Sequence, residues 1–147
     1  MNDKPREIAN GAMRGVVGAL AMTGMRQFAA ELGLIGKTPP EEMAEKARGM
    51  TVDIPFDNGR AAVLTLHCAV GALGGIGFGM LPDGIRQRGW GGPAWGIAIW
   101  LGYELAVEPL LGLGPVKREK PAEHAAIIAD HLVYGYVLSE TRGQPRN

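Results

Sequence analysis

The chain has 147 residues, enough for one domain or one small helical bundle. Fifteen Lys+Arg against fifteen Asp+Glu leave no net charge, which argues against nucleic acid as a partner. The lone Cys68 excludes an intrachain disulfide framework and any cysteine-based zinc or iron–sulfur centre.

The first apolar segment is 15–25, GVVGALAMTGM, bounded by Arg14 and Arg26. Twelve helical steps separate the two arginines, about 18 Å of rise. Outward snorkelling of both side chains would stretch this to a thin bilayer, and a helix is expected over about 9–33. Gly11, Gly15 and Ala19 put a stripe of small residues along it. Ala19-Leu20-Ala21 has the small-x-small form of a leader cleavage site, but it lies inside the apolar run rather than after it. The segment is therefore expected to be retained.

A polar stretch, 37–60, follows. Thr38 at the N-cap, Pro39 at the first helical position and Glu41 at the third predict a short amphipathic surface helix over about 39–48, closed by Gly49. Asp57-Asn58-Gly59 reads as a turn. The next segment is the most informative. Residues 61–82 carry no formal charge over 22 positions and are interrupted only by His67. About 20 such residues cross a bilayer core, and a soluble helix would keep a charged face. Gly71, Gly75 and Gly79 recur every four residues on one face, with His67 one turn earlier. Such a stripe lets a second helix backbone approach closely.

Residues 89–103 give 15 uncharged positions before Glu104. Pro93 suits the first position of a helix over about 93–108, which should end before Pro109. Glu104 and Glu108 share a face of that helix. Trp90, Trp95 and Trp100, five apart, do not align and read as interface anchors and packing residues. Gly112 to Pro121 is a loop rich in Gly, Pro and basic residues. The last helix, about 121–139, holds one formal charge between His124 and Ser139, that of Asp130. His124 and His131 share a face there, with Gly135 a turn beyond.

These elements predict an all-α protein: a four-helix transmembrane bundle with one short amphipathic surface helix, a single helical membrane domain over 1–147. Ionisable groups at membrane depth face the bundle interior and find partners, so His67, Glu104, Glu108, Asp130 and His131 form the candidate polar cluster. Carboxylates opposite imidazoles suit a hydrogen-bond network first, and a proton relay or metal ligation second. Asp130 and His131 are adjacent, about 100° apart on a helix. His131 is expected to face inward, towards His67 or a carboxylate of the third helix, and Asp130 to lie at a flank against Arg14 or Arg26.

No catalytic residue, metal ligand set or cofactor is assigned. Gly74-Gly75-x-Gly77-x-Gly79 has no preceding strand and no Lys-Ser/Thr, there is no HExxH, and Ser139 is the only serine. Basic residues divide six against seven between the two sides of a four-span topology, which sets no orientation.

The ordered set Gly36-Lys37-Thr38-Pro39-Pro40-Glu41-Glu42, His67 with Gly71, Trp95-Gly96-Ile97-Ala98-Ile99-Trp100, Glu108-Pro109 with Gly112, and His131-Leu132-Val133-Tyr134-Gly135 covers about Gly11 to Glu140. It resembles the YagU-like group of small bacterial inner-membrane proteins, a domain of unknown function. The resemblance implies a four-helix integral membrane protein and brings no catalytic residue. The expected function is a structural or accessory role in the bacterial cytoplasmic membrane, multi-pass, with the lipid bilayer and a protein partner or second copy as partners. The alternative is transport or cofactor binding through the intramembrane His/carboxylate cluster. A soluble helical bundle is the further alternative, which the near-zero mean hydropathy permits.

Overall fold

The computed structural model describes residues 4–33, 59–110 and 121–139. Helix α1 is Lys4–Glu31, α2 is Gly59–Met80 and α3 is a single turn, Asp83–Arg86. Helix α4, Gly91–Gly102, passes through a π-helical segment, Tyr103–Val107, into α5, Glu108–Leu110; α6 is Pro121–Leu138. There is no strand among the described residues, so the all-α class holds. The expected short helix over 39–48 lies outside the described residues.

Three boundaries differ from the sequence reading, for local reasons. Helix α1 starts at Lys4, five residues before the apolar pattern would suggest, because Lys4 and Glu7 have partners in the 81–90 connection. It ends at Glu31, and Gly33 just beyond, with a φ of 69°, turns its N–H back to the Ala30 carbonyl at 2.9 Å. Helix α4 starts at Gly91, two residues before Pro93. Pro93 is harmless in the first turn, where N–H groups have no intrahelical partner, and Ala94 closes that turn by donating to the Trp90 carbonyl at 2.9 Å. At the other end the helix does not stop at Glu108. Pro109 has no N–H to give the Leu105 carbonyl, and its ring crowds that carbonyl. The wider π register over Tyr103–Val107 takes up the mismatch, so the rod continues to Leu110, about 30 Å from Gly91.

Two glycine seams hold the long helices in antiparallel pairs. In the first, α1 crosses α2 with Gly11 against Gly75 and Gly15 against Gly71, backbone on backbone. A Cβ built on Gly11 or Gly75 would land on the carbonyl oxygen of the other. Gly79 continues the seam onto the backbone of Glu7 and Ile8, where a Cβ would sit 2.9 Å from Ile8 Cα. In the second seam, α4 crosses α6 with Gly92 against Gly135 and Gly96 against the His131 carbonyl.

The pairs join through large side chains. Tyr134 of α6 lies on Gly18 of α1, which has no side chain to hold it off, and donates Oη to the Gly71 carbonyl of α2 at 2.6 Å. Trp95 of α4 covers Gly77 and donates Nε1 to the Gly74 carbonyl at 2.9 Å. Met22, Phe78, Tyr134 and Leu138 form the buried core, with Leu81, Trp95 and Ile99 packed against it. These contacts make an up-down-up-down bundle of α1, α2, α4 and α6.

The end of the bundle near the start of α1 is closed by charge. Arg86, buried, donates to Glu7 at 2.6 Å and to Asp83 at 2.9 Å; Lys4 pairs with Glu7 at 3.4 Å and donates to the Leu81 carbonyl at 3.2 Å. Arg14 donates to the Leu138 carbonyl at 3.4 Å, placing a cation at the negative end of α6.

Candidate functional site

Polar side chains gather a second time towards the opposite end, and here they lie inside the bundle. Arg26 is on the last turns of α1, and its Nε donates to Oδ2 of Asp130 on α6 at 2.5 Å. Both residues are buried. Helices α1 and α6 run antiparallel, so Gly18 meets Tyr134, and two turns further along α1 the long Arg26 side chain reaches the level of Asp130. Its charge is met by a carboxylate in a setting where an uncompensated ion would be several kcal/mol unfavourable.

His67 joins from α2, one turn before Gly71. It is half-buried and lies within electrostatic reach of both Arg26 and His131. His131, also half-buried, bonds through Nδ1 to the Ile127 carbonyl of its own helix at 2.9 Å. Arg26, His67, Asp130 and His131 therefore form one layer contributed by α1, α2 and α6.

Two expectations are corrected by this layer. Arg14 and Arg26 do not snorkel outward: Arg26 points in to Asp130, and Arg14 reaches across to α6. Asp130, rather than His131, takes the inward position. A carboxylate next to a buried guanidinium gains more from burial than an imidazole that its own helix carbonyl can satisfy. Gly135, used in sequence to aim His131 inward, faces α4 instead.

The candidate cluster also divides in two. Glu104 lies two turns beyond Gly96, the residue packed on His131, so it stands about 12 Å further along the axis. There it accepts a hydrogen bond from Nε1 of Trp100 at 3.0 Å, and the Trp100 indole meets the His124 ring edge-on at 5.6 Å. This second layer sits at the π segment. The side chain of Glu108 is outside the described residues. Among the described residues, no group of His, Cys, Asp and Glu has a geometry that would hold a metal ion.

Arg26 belongs to the site and was absent from the sequence-derived cluster, where it served only as a possible flanking partner of Asp130. The signal was present in part: an arginine at one end of an 11-residue apolar run must either leave the helix end or find an acid, and Asp130 is the single formal charge between His124 and Ser139.

No known family model, curated protein or solved structure matches this chain.

Proposed function

We propose that the protein is a small multi-pass integral membrane protein of the bacterial cytoplasmic membrane, with a structural or accessory role, whose helices associate through glycine faces. The observation that carries this reading is an inverted distribution of polarity. Large apolar side chains point away from the protein: Phe28 is 63% exposed and Leu73 66%, with Met13, Val17, Leu66 and Val70 around them. Between the helix ends, a charged pair points in: Arg26 is 8% exposed and Asp130 2%. Apolar faces of this kind are unfavourable in water and favourable against lipid, and ionisable groups, costly at membrane depth, turn inward to a partner.

Helix α2 supports the same reading. Its stretch Ala61–Met80 is long and apolar enough to cross a membrane, the one such helix among the described residues. Only 17% of that span is buried, unlike the core helix of a soluble protein, which its neighbours would cover. The glycine seams and the aromatic donors to helix carbonyls fit too, because in lipid helices associate by close packing and interhelical hydrogen bonds. The resemblance to the YagU-like group agrees with this placement and adds no chemistry.

Membrane fractionation tests the reading. The protein is expected in the membrane pellet after a carbonate wash and soluble only with detergent. Recovery of folded, monodisperse protein in detergent-free buffer would overturn it.

A further inference from the structure

The end of the bundle near the start of α1 carries more positive charge than its own acids absorb. Its described residues include four cations, Lys4, Arg6, Arg86 and Arg88, and two carboxylates, Glu7 and Asp83. Both carboxylates are engaged from inside: Arg86 holds Glu7 and Asp83, and Lys4 holds Glu7 as well. Arg6 and Arg88 are exposed and have no carboxylate partner among the described residues.

Both arginines stand on ordered backbone. Arg6 is in the first turns of α1. Arg88 is in a connection wound by its own hydrogen bonds: the Gln87 N–H donates to the Asp83 carbonyl at 3.0 Å, that of Arg88 to the Ile85 carbonyl at 3.2 Å, and that of Gly91 to the Arg88 carbonyl at 2.9 Å. The Arg88 guanidinium lies over the Trp90 ring, 5.8 Å from its centroid.

Aromatic side chains set the depth of these charges. Gly92 packs on Gly135 where α4 and α6 cross antiparallel, so Trp90 and Tyr136 lie on the same side of that contact, within about one turn of it. Trp90 is 55% exposed and Tyr136 61%. Amphipathic rings displayed in this way belong at the headgroup level of a bilayer. Arg88 sits beside Trp90, and Arg6 lies further out along α1, so both cations are at or beyond the depth of lipid phosphates. A zwitterionic headgroup brings its own cation, whereas arginines without an acid favour a headgroup of net negative charge. A guanidinium also meets phosphate oxygens with paired N–H donors.

We propose that this end of the bundle, through Arg6 and Arg88 beside the Trp90 and Tyr136 rings, is a docking surface for anionic phospholipid headgroups. The proposal rests on the membrane placement above and names the lipid partner on one side of it.

The test uses the full chain in a maltoside detergent, which carries no charge. Dioctanoyl phosphatidylglycerol, dioctanoyl phosphatidylcholine and glycerol phosphate are titrated separately, and the ligand-dependent rise of the thermal midpoint is followed. A saturable rise is expected with phosphatidylglycerol, and binding of the other two is expected to be weaker by about tenfold or more. The preference should shrink between about 0.1 M and about 1 M salt, as the screening length falls from about 10 Å to about 3 Å. Arg6→Gln and Arg88→Gln are each expected to weaken phosphatidylglycerol binding about fivefold, the effect of one cation near an anionic surface, and the double variant more than tenfold. Gln87→Ala, at an exposed neutral neighbour, is expected to bind as wild type.

If the double variant does not fold, the single ones decide. The proposal is overturned if phosphatidylcholine binds as tightly as phosphatidylglycerol, if glycerol phosphate does, or if the folded arginine variants bind as wild type. A detergent-requiring protein with no preference for phosphatidylglycerol refutes this surface and leaves the membrane reading standing. A protein soluble without detergent refutes that reading itself.

Discussion

Asp130 and His131 are consecutive residues about 100° apart on α6, and the bundle gives them different environments. Asp130 meets Arg26 at 2.5 Å, while His131 satisfies Nδ1 on the Ile127 carbonyl. Removing one partner of a buried pair leaves an uncompensated charge, typically a loss of about 3–5 kcal/mol. Asp130→Asn should therefore lower the thermal midpoint in detergent sharply, and Arg26→Gln should restore part of it. The coupling is specific: a double-mutant cycle of Asp130→Asn with Arg14→Gln is expected to be additive, since Arg14 reaches the Leu138 carbonyl instead. No coupling to Arg26 would contradict the pair. Tyr134→Phe tests a neutral interhelical bond. It removes only the hydroxyl on the Gly71 carbonyl, and membrane hydrogen bonds of this kind average about 0.6 kcal/mol, so its effect should be several-fold smaller.

Among the elements, α1 and α2 are bound most tightly, by the absence of side chains. Gly11, Gly15, Gly71 and Gly75 bring two backbones together so that a single added Cβ meets a carbonyl oxygen. Gly75→Leu is expected to wedge the pair apart, at about 1–3 kcal/mol or more, because the obstructing atoms are backbone and have little room to move. Gly24→Ala on the same α1 should leave the thermal midpoint unchanged or slightly raised, since the added carbon meets nothing and alanine favours helix. Equal losses from the two substitutions would mean that glycine count, and not the seam, sets stability. The α4 rod carries a different kind of adjustment. Its π segment, Tyr103–Val107, lies just before Pro109, and with it the Glu104–Trp100–His124 layer is set off from the Arg26–Asp130 layer.

At the scale of the bundle, the described helices expose large apolar side chains and carry paired charge at two levels. One is the Lys4–Glu7–Arg86–Asp83 network at the end of the bundle, and the other is the Arg26–Asp130 layer. A protein built this way should lose its fold when detergent is diluted out, rather than refold in water, because Phe28, Val70 and Leu73 are each more than half exposed. Light scattering and circular dichroism during detergent removal check this: aggregation with loss of the cooperative thermal transition is expected, and an unchanged transition would count against the bilayer as its solvent.

The sequence by itself determined the helical class and the positions of the long helices. The uncharged run 61–82 and the glycines every four residues need no tertiary context, since charge spacing and the 3.6-residue period act within one element. What only the tertiary structure decided is which polar residues meet. Arg26 and Asp130 are 104 positions apart, and no local pattern distinguishes Arg26 from Arg14 as the partner; the antiparallel register of α1 on α6 does. It likewise turned Asp130 inward instead of His131, and it separated Glu104 from both by sliding α4 along α6 at the Gly92, Gly96 and Gly135 contacts. Periodicity fixes a residue's angle around its own helix, but height and rotation relative to a neighbour come from where two backbones can touch, and here glycines on separate helices set that point.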